Sequence, residues 1–205
     1  MKRLLMILIC LVLACGCAAG EDAVSSATLK IEKLPEVETE KNDILVVYFS
    51  PDDTTKAAAY AVAAELKADL FEIAAKEPYT ADDLNYFDSK SRSMTEMKDS
   101  QIRPAVAALP EDLSRYNTIW LGYPIWGGQA PKIMYTFLES VDLSGKTIIP
   151  FCTSNSSGIG SSAVNLQKAA GEGVKWEKGG RIKKGSNAED IACWVREICT
   201  AGASE

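Results

Sequence analysis

"ILVVYFSPDDTTKAAAYAVAAELK", residues 44–67, runs from an unbroken apolar segment through a short polar turn into an alanine-rich stretch of helical periodicity. The order is strand, turn, helix, and the turn "YFSPDDTTK" (48–56) places hydroxyls at the helix N-terminus. In α/β proteins such a turn holds a phosphate with backbone N–H groups and the positive end of the helix dipole. Here Asp52 and Asp53 stand at its centre. Asp and Thr are also preferred helix caps, so the turn has two readings, an anion cradle or a cap alone.

The alternation continues downstream. "DLFEI" (69–73), "NTIWLG" (117–122) and "KTIIPFC" (146–152) read as buried strands beside "ILVVYF" (44–49), because short continuous apolar runs mark strands covered on both faces. "TKAAAYAVAAELK" (55–67), "APKIMYTFLES" (130–140) and "AEDIACWVREIC" (188–199) have helical spacing, and a fifth strand is expected near "GVKWEKG" (173–179). Strand–helix alternation implies an α/β fold, a parallel sheet with helices on both faces. Residues 74–111 interrupt it with a polar stretch holding a possible helix around 88–98. Long connections of this kind tend to be lids, binding loops or disorder.

Composition narrows the chemistry. The 205 residues amount to one domain with an appendage. A formal charge of −6, with no basic run beyond Lys183-Lys184, argues against a nucleic-acid surface. Histidine is absent from the chain, which excludes Ser-His-Asp and Cys-His catalysis and any imidazole metal site. No catalytic side chain and no metal ligand set is assigned.

"MKRLLMILICLVLACGC" (1–17) has two basic residues, an apolar run and then small residues with cysteine, the order of a secretory signal. The uninterrupted span Leu4–Cys15 is shorter than the ~20 residues a membrane crossing needs. Its end is similar to a lipobox, offering Cys15, favoured by Val12 three residues upstream, or Cys17 as the acylated residue. Plain secretion after cleavage is the alternative. Losing Lys2 and Arg3 would leave 20 basic against 28 acidic residues, a charge of −8. Residues 18–43 mix Ala, Ser, Glu and Lys without periodicity, a tether spanning roughly 25–30 Å as flexible coil. The remainder, 44–205, is the folded domain.

In doubly wound sheets ligands bind beyond the carboxyl ends of the strands. Three segments meet that condition: Ser50–Thr55, "YPIWGGQAP" (123–131) and "TSNSSGIGSS" (153–162). With "LVVYFSP" (45–51), "DLNY" (83–86), "SRS" (91–93), "YNTIWLGYPIW" (116–126), "DLSGKTI" (142–148), "PFCTS" (150–154) and "SGIGSS" (157–162) in order, the chain from Ile44 to Ile198 resembles the flavodoxin family, particularly its long-insert, lipoprotein-like members. The resemblance implies a doubly wound five-stranded sheet in the order 2-1-3-4-5 and FMN bound at the three loops. Carried over, Ser50, Thr54 and Thr55 would take the phosphate. Pro124, Ile125, Trp126, Gly127 and Gly128 would line one edge of the flavin, and Thr153, Ser154, Asn155, Ser156 and Gly158 the other.

The residue types suit these roles. Gly127 and Gly128 let the backbone approach a ring and change orientation, and an indole such as Trp126 stacks on a flat conjugated system. A core or interface tryptophan is the alternative for Trp126. The departure from the family lies at Asp52 and Asp53, where relatives usually carry Thr-Gly. Two unit charges ~6 Å apart interact by roughly 3 kcal/mol at an effective dielectric of 20 and under 1 in water, so the aspartates should weaken a phosphate site more than abolish it.

"GIGSSA" (158–163) with Glu177 also fits a dinucleotide fingerprint, but Thr153–Ser157 separate it from its strand. Cys152 reads as an inert core thiol. Cys193 and Cys199, six apart on one helix, lie too far apart for a disulfide. The expectation is a membrane-tethered FMN protein outside the cytoplasm, passing electrons to a redox partner protein or a small acceptor such as a quinone, as carrier or as oxidoreductase. Its acidic surround should keep the flavin potential low. The alternative is a binding lipoprotein that kept the fold and lost FMN.

Overall fold

The computed structural model describes residues 42–202. The expected signal segment, Cys15, Cys17 and nearly all of the tether lie outside the described residues.

The chain alternates as β1 (Ile44–Tyr48), α1 (Thr54–Leu66), β2 (Asp69–Glu72), α2 (Arg92–Lys98), β3 (Thr118–Pro124), α3 (Lys132–Ser140), β4 (Thr147–Ser154), α4 (Ser162–Gln167), β5 (Lys175–Trp176), β6 (Gly180–Lys183) and α5 (Ala188–Gly202). The sheet is parallel in the order β2-β1-β3-β4-β5, with β6 also pairing β4. Its central strands are apolar without a break because both faces are covered. Leu45, Val47, Ile119, Leu121, Tyr123, Ile148 and Cys152 pack with Ile133, Met134, Phe137 and Leu138 of α3 and Leu166 of α4. The alternate residues Val46, Tyr48, Trp120 and Phe151 meet Ala58, Ala59, Val62 and Ala63 of α1 and Ile191 and Val195 of α5. The glycine at 122 makes room for a core ring, since a Cβ there would sit 2.3 Å from Phe151.

The fifth position of the sheet differs from the expected single strand at 173–179. β5 pairs Thr147 and Ile148, and β6 pairs Phe151 through Ser154. Between them Glu177 N–H donates to Ile148 O at 2.9 Å, and the next rung of a parallel ladder would need an N–H from residue 150. That residue is Pro150, which has none. The strand breaks and passes so close that a Cβ on Gly179 would fall 1.6 Å from Pro150 O.

The polar stretch also has a definite structure. Its ends are pinched by the Ala75–Val106 bridge, with Lys76 N–H on Ala105 O and Ala107 N–H on Ala74 O, both 2.8 Å. Inside, Glu96 is buried and accepts from Tyr79 Oη at 2.7 Å and Arg92 Nε at 2.8 Å. The Arg92 guanidinium also lies 4.0 Å over the Tyr79 ring and donates to Glu77 O. Burial, then the bond to Glu96, pushes the Tyr79 phenol above its ordinary range. Among the described residues no helix is long and apolar enough to cross a membrane.

Candidate functional site

The loops after β1, β3 and β4 open at the same end of the sheet and wall a cleft of about 580 Å3. Thr54 lines it from the first loop, Pro124, Ile125, Trp126 and Gly127 from the second, and Thr153, Ser154, Asn155 and Ser156 from the third. One backbone link fixes the second loop to the third, Ile125 N–H donating to Thr153 O at 3.0 Å, and another ties the end of β4 to the residue after β6, Lys184 N–H donating to Ser154 O at 3.4 Å.

The second loop is a two-residue hairpin. Trp126 and Gln129 exchange N–H···O bonds of 2.9 Å in both directions, and Gly127 and Gly128 between them have φ of +51° and +82°. Positive φ at both central positions is the requirement that selects glycine in such a turn. Trp126 is half-buried and propped edge-on by Phe49 and Tyr79, with ring centroids 5.9 and 5.6 Å away. Gln129 ties the hairpin to the start of α4 through Ser161 Oγ (3.2 Å) and Asn165 Nδ2 (2.8 Å). Below it Tyr123 Oη meets Ser162 Oγ at 3.1 Å, and burial raises the Tyr123 phenol.

The first loop holds its hydroxyls inward. Ser50 is buried and its Oγ accepts the Lys56 N–H at 2.9 Å. Thr55 is buried too, its Oγ1 2.7 Å from Thr153 Oγ1. Thr54 faces the cleft, but its N–H and Oγ1 both donate to Asp52, at 3.2 and 3.1 Å. Asp53 caps nothing with its side chain and sits in the left-handed region at φ +59°, the backbone a glycine adopts freely. Its carboxylate is exposed, 3.9 Å from Lys56 Nζ. Thus Asp52 and Ser50 supply the capping that the sequence suggested for the Asp and Thr residues of the turn.

Gly128 and Gly158 do not line the cleft. Pattern reasoning instead missed Leu84, Tyr86, Ser93, Met94 and Met97 of the insert, which close one side. Met97 lies against the hairpin, where a Cβ on Gly127 would come within 2.0 Å of its Cε. Paired methionines three apart and adjacent Tyr86-Phe87 in an otherwise polar stretch were the available signal. Those two rings stack with centroids 4.1 Å apart and are largely exposed. The dinucleotide alternative finds no support in placement, since "GIGSSA" begins four residues beyond β4 and Glu177 pairs with Lys175 at 2.6 Å.

Among the described residues, the acid or base groups lining the cleft are Asp52, Tyr86 and Lys184. Cys152 is buried, and burial pushes its thiol up to about 12. Cys193 and Cys199 are exposed and free. Among the described residues no cluster of metal-ligating side chains occurs. Aromatic, glycine and hydroxyl walls with so few reactive groups make a binding site for a flat, polar-edged molecule.

The family profile described as Flavodoxin matches residues 43–198. No curated protein matches the chain. Among solved structures, a protein designated a flavoprotein from Bacteroides uniformis ATCC 8492 is 42% identical, with a TM-score of 0.71 over 76% of this chain and 98% of its own. Another so designated, from Bacteroides eggerthii DSM 20697, is 39% identical, with a TM-score of 0.70 over 77% and 98%. A flavoprotein in complex with FMN from Lactobacillus acidophilus NCFM shares the fold at 18% identity, with a TM-score of 0.58 over 75% and 98%. The parallel sheet, the loops gathered at one end of it and a sequence match that runs the length of the described domain agree: the chain belongs to the flavodoxin family.

Proposed function

We propose that the cleft binds a flavin, FMN in the first instance, and that the protein serves in electron transfer or as an FMN-dependent oxidoreductase at the outer face of a membrane. The observation that carries this is the convergence of three loops on one cleft walled by Trp126 and Gly127 of the hairpin. Similarity to the Bacteroides flavoproteins, and in fold to the FMN complex, supports it.

At the ring end the residues fit. Gly127 presents backbone rather than side chain, Trp126 offers an aromatic surface held by Phe49 and Tyr79, and Thr153–Ser156 supply hydroxyl and amide groups for a polar edge. A bound flavin supplies one- or two-electron transfer, while the protein orients the ring and sets its surroundings. Met94, Met97 and Leu84 exclude water from the insert side. The phosphate end fits less well, because Asp52 already engages Thr54.

Anchoring through Cys15 or Cys17, in a tethered position near the membrane, belongs to the same proposal. Two or more acyl chains would give a stable hold where one gives a marginal one, and the tether would limit partners to membrane-proximal reach, which favours a membrane redox protein or a quinone. Replacing both cysteines with serine should move the protein out of the membrane fraction; retention there would refute the anchor. For the flavin, the purified full chain should be yellow or become so with added FMN, and Trp126→Ala should lose roughly 1–3 kcal/mol of affinity, the range for aromatic stacking. A colourless protein that takes up no flavin would favour a binding module on the same scaffold.

A further inference from the structure

The loop that should grip the phosphate already contains an anion. The Asp52 carboxylate accepts from both Thr54 N–H and Thr54 Oγ1, which are among the donors a phosphate would need at the N-terminus of the 13-residue helix α1. Of the other two hydroxyls of the loop, Ser50 Oγ accepts the Lys56 N–H and so occupies that backbone donor, and Thr55 Oγ1 is turned to Thr153 Oγ1 in the buried interior. Lys56, the nearest cation in sequence, faces Asp53 and Glu72 at 3.9 and 3.8 Å. Among the described residues only Lys184 brings positive charge to the cleft wall, and the charge of Asp52 offsets it. A dianion entering here meets a wall without net positive charge, with both Thr54 donors and the Lys56 N–H already engaged, whereas the ring end of the cleft stays open.

We infer that this cleft recognises the isoalloxazine and ribityl parts of a flavin and gains little from a terminal phosphate, so that a phosphate-free flavin such as riboflavin binds about as well as FMN. Asp52 is the internal stand-in for the phosphate. The inference rests on the flavin reading above and sharpens it: a carrier that does not need the phosphate can be loaded with either form of the vitamin.

The test titrates the flavin-stripped full chain with riboflavin and with FMN at low ionic strength, following quenching of flavin fluorescence. Riboflavin should bind within about threefold of FMN, or tighter, and Asp52→Asn and Asp52→Thr should each tighten FMN about tenfold or more while leaving riboflavin within about twofold. Asn keeps a capping oxygen and Thr restores a hydroxyl, so failure of one variant to fold leaves the other decisive. Wild-type protein that prefers FMN by more than about tenfold, or a preference unchanged in both variants, overturns the inference while leaving flavin binding intact. If neither flavin binds, both this inference and the functional proposal fall.

Discussion

Replacing Glu96 with alanine should loosen the insert and the cleft wall together. Glu96 is 5% exposed and accepts two bonds, from Arg92 Nε and Tyr79 Oη. Removing one partner of a buried ion pair costs about 3–5 kcal/mol, because the other charge is stranded. Arg92 keeps its bond to Glu77 O and its place over the Tyr79 ring, and its side chain is 24% exposed, which puts the expected loss at the low end, about 3 kcal/mol. The two ends of the insert are held together by the bonds at Lys76 and Ala107. The loss should therefore appear first as local opening, with amide exchange and protease cleavage within residues 76–105 rising on the order of a hundredfold. Because Tyr79 braces Trp126, indole fluorescence should change with it. An Arg92→Leu/Glu96→Leu double variant should recover at least half of the loss, since no charge is then stranded. Exchange and cleavage unchanged in Glu96→Ala would refute the assignment of Glu96 as the insert's anchor.

Asp53→Gly should stabilise the domain by about 0.5 kcal/mol by relieving a left-handed backbone, and Asp53→Val should cost about 1–2, both read by urea denaturation. Gly179→Ala should be severely destabilising, several kcal/mol in the same assay, since its Cβ would overlap the Pro150 carbonyl at 1.6 Å; a near-neutral result would mean that the β5–β6 break is soft. Stability should fall as pH rises above about 10, the ordinary tyrosine value. Burial raises the phenols of Tyr48, Tyr79 and Tyr123, so the folded state keeps protons that the unfolded chain has lost. Tyr79→Phe should flatten that slope in denaturation curves taken across the alkaline range.

The doubly covered strands were legible because burial on both faces leaves no polar residue to interrupt them: β1, β3 and β4 lie within two residues of the apolar runs that announce them. Helices α1, α3 and α5 showed their spacing because each buries a single stripe against the sheet and leaves the opposite side polar or exposed. α4 did not, since six residues with only Ser162 and Leu166 buried make too short a pattern to read. The split fifth strand was illegible for a different reason: its cause, Pro150, sits on the neighbouring strand, and the local trace, Gly179 at the break, gains its meaning only from that contact. The cleft divides in the same way. Loops that follow strands announce themselves by position, whereas the insert reaches the cleft through contacts distant in sequence, such as Met97 against Gly127 and Tyr79 against Trp126.

The two aspartates that made the first loop ambiguous prove to be different problems. Asp53 occupies a backbone conformation suited to glycine and points its charge outward toward Lys56; its cost is conformational. Asp52 sits on the Thr54 donors; its cost, to an incoming anion, is electrostatic and also one of occupied hydrogen bonds. Changing both to Thr-Gly would mix the effects, so single variants are the informative ones. Asp52→Asn removes charge with little change to the backbone and should move FMN affinity; Asp53→Gly frees the backbone and should move stability, with FMN affinity altered by no more than the roughly threefold expected from a screened surface charge. If Asp53→Gly tightened FMN as much as Asp52→Asn did, the shape of the loop, and not the carboxylate on Thr54, would govern how this cleft treats a phosphate.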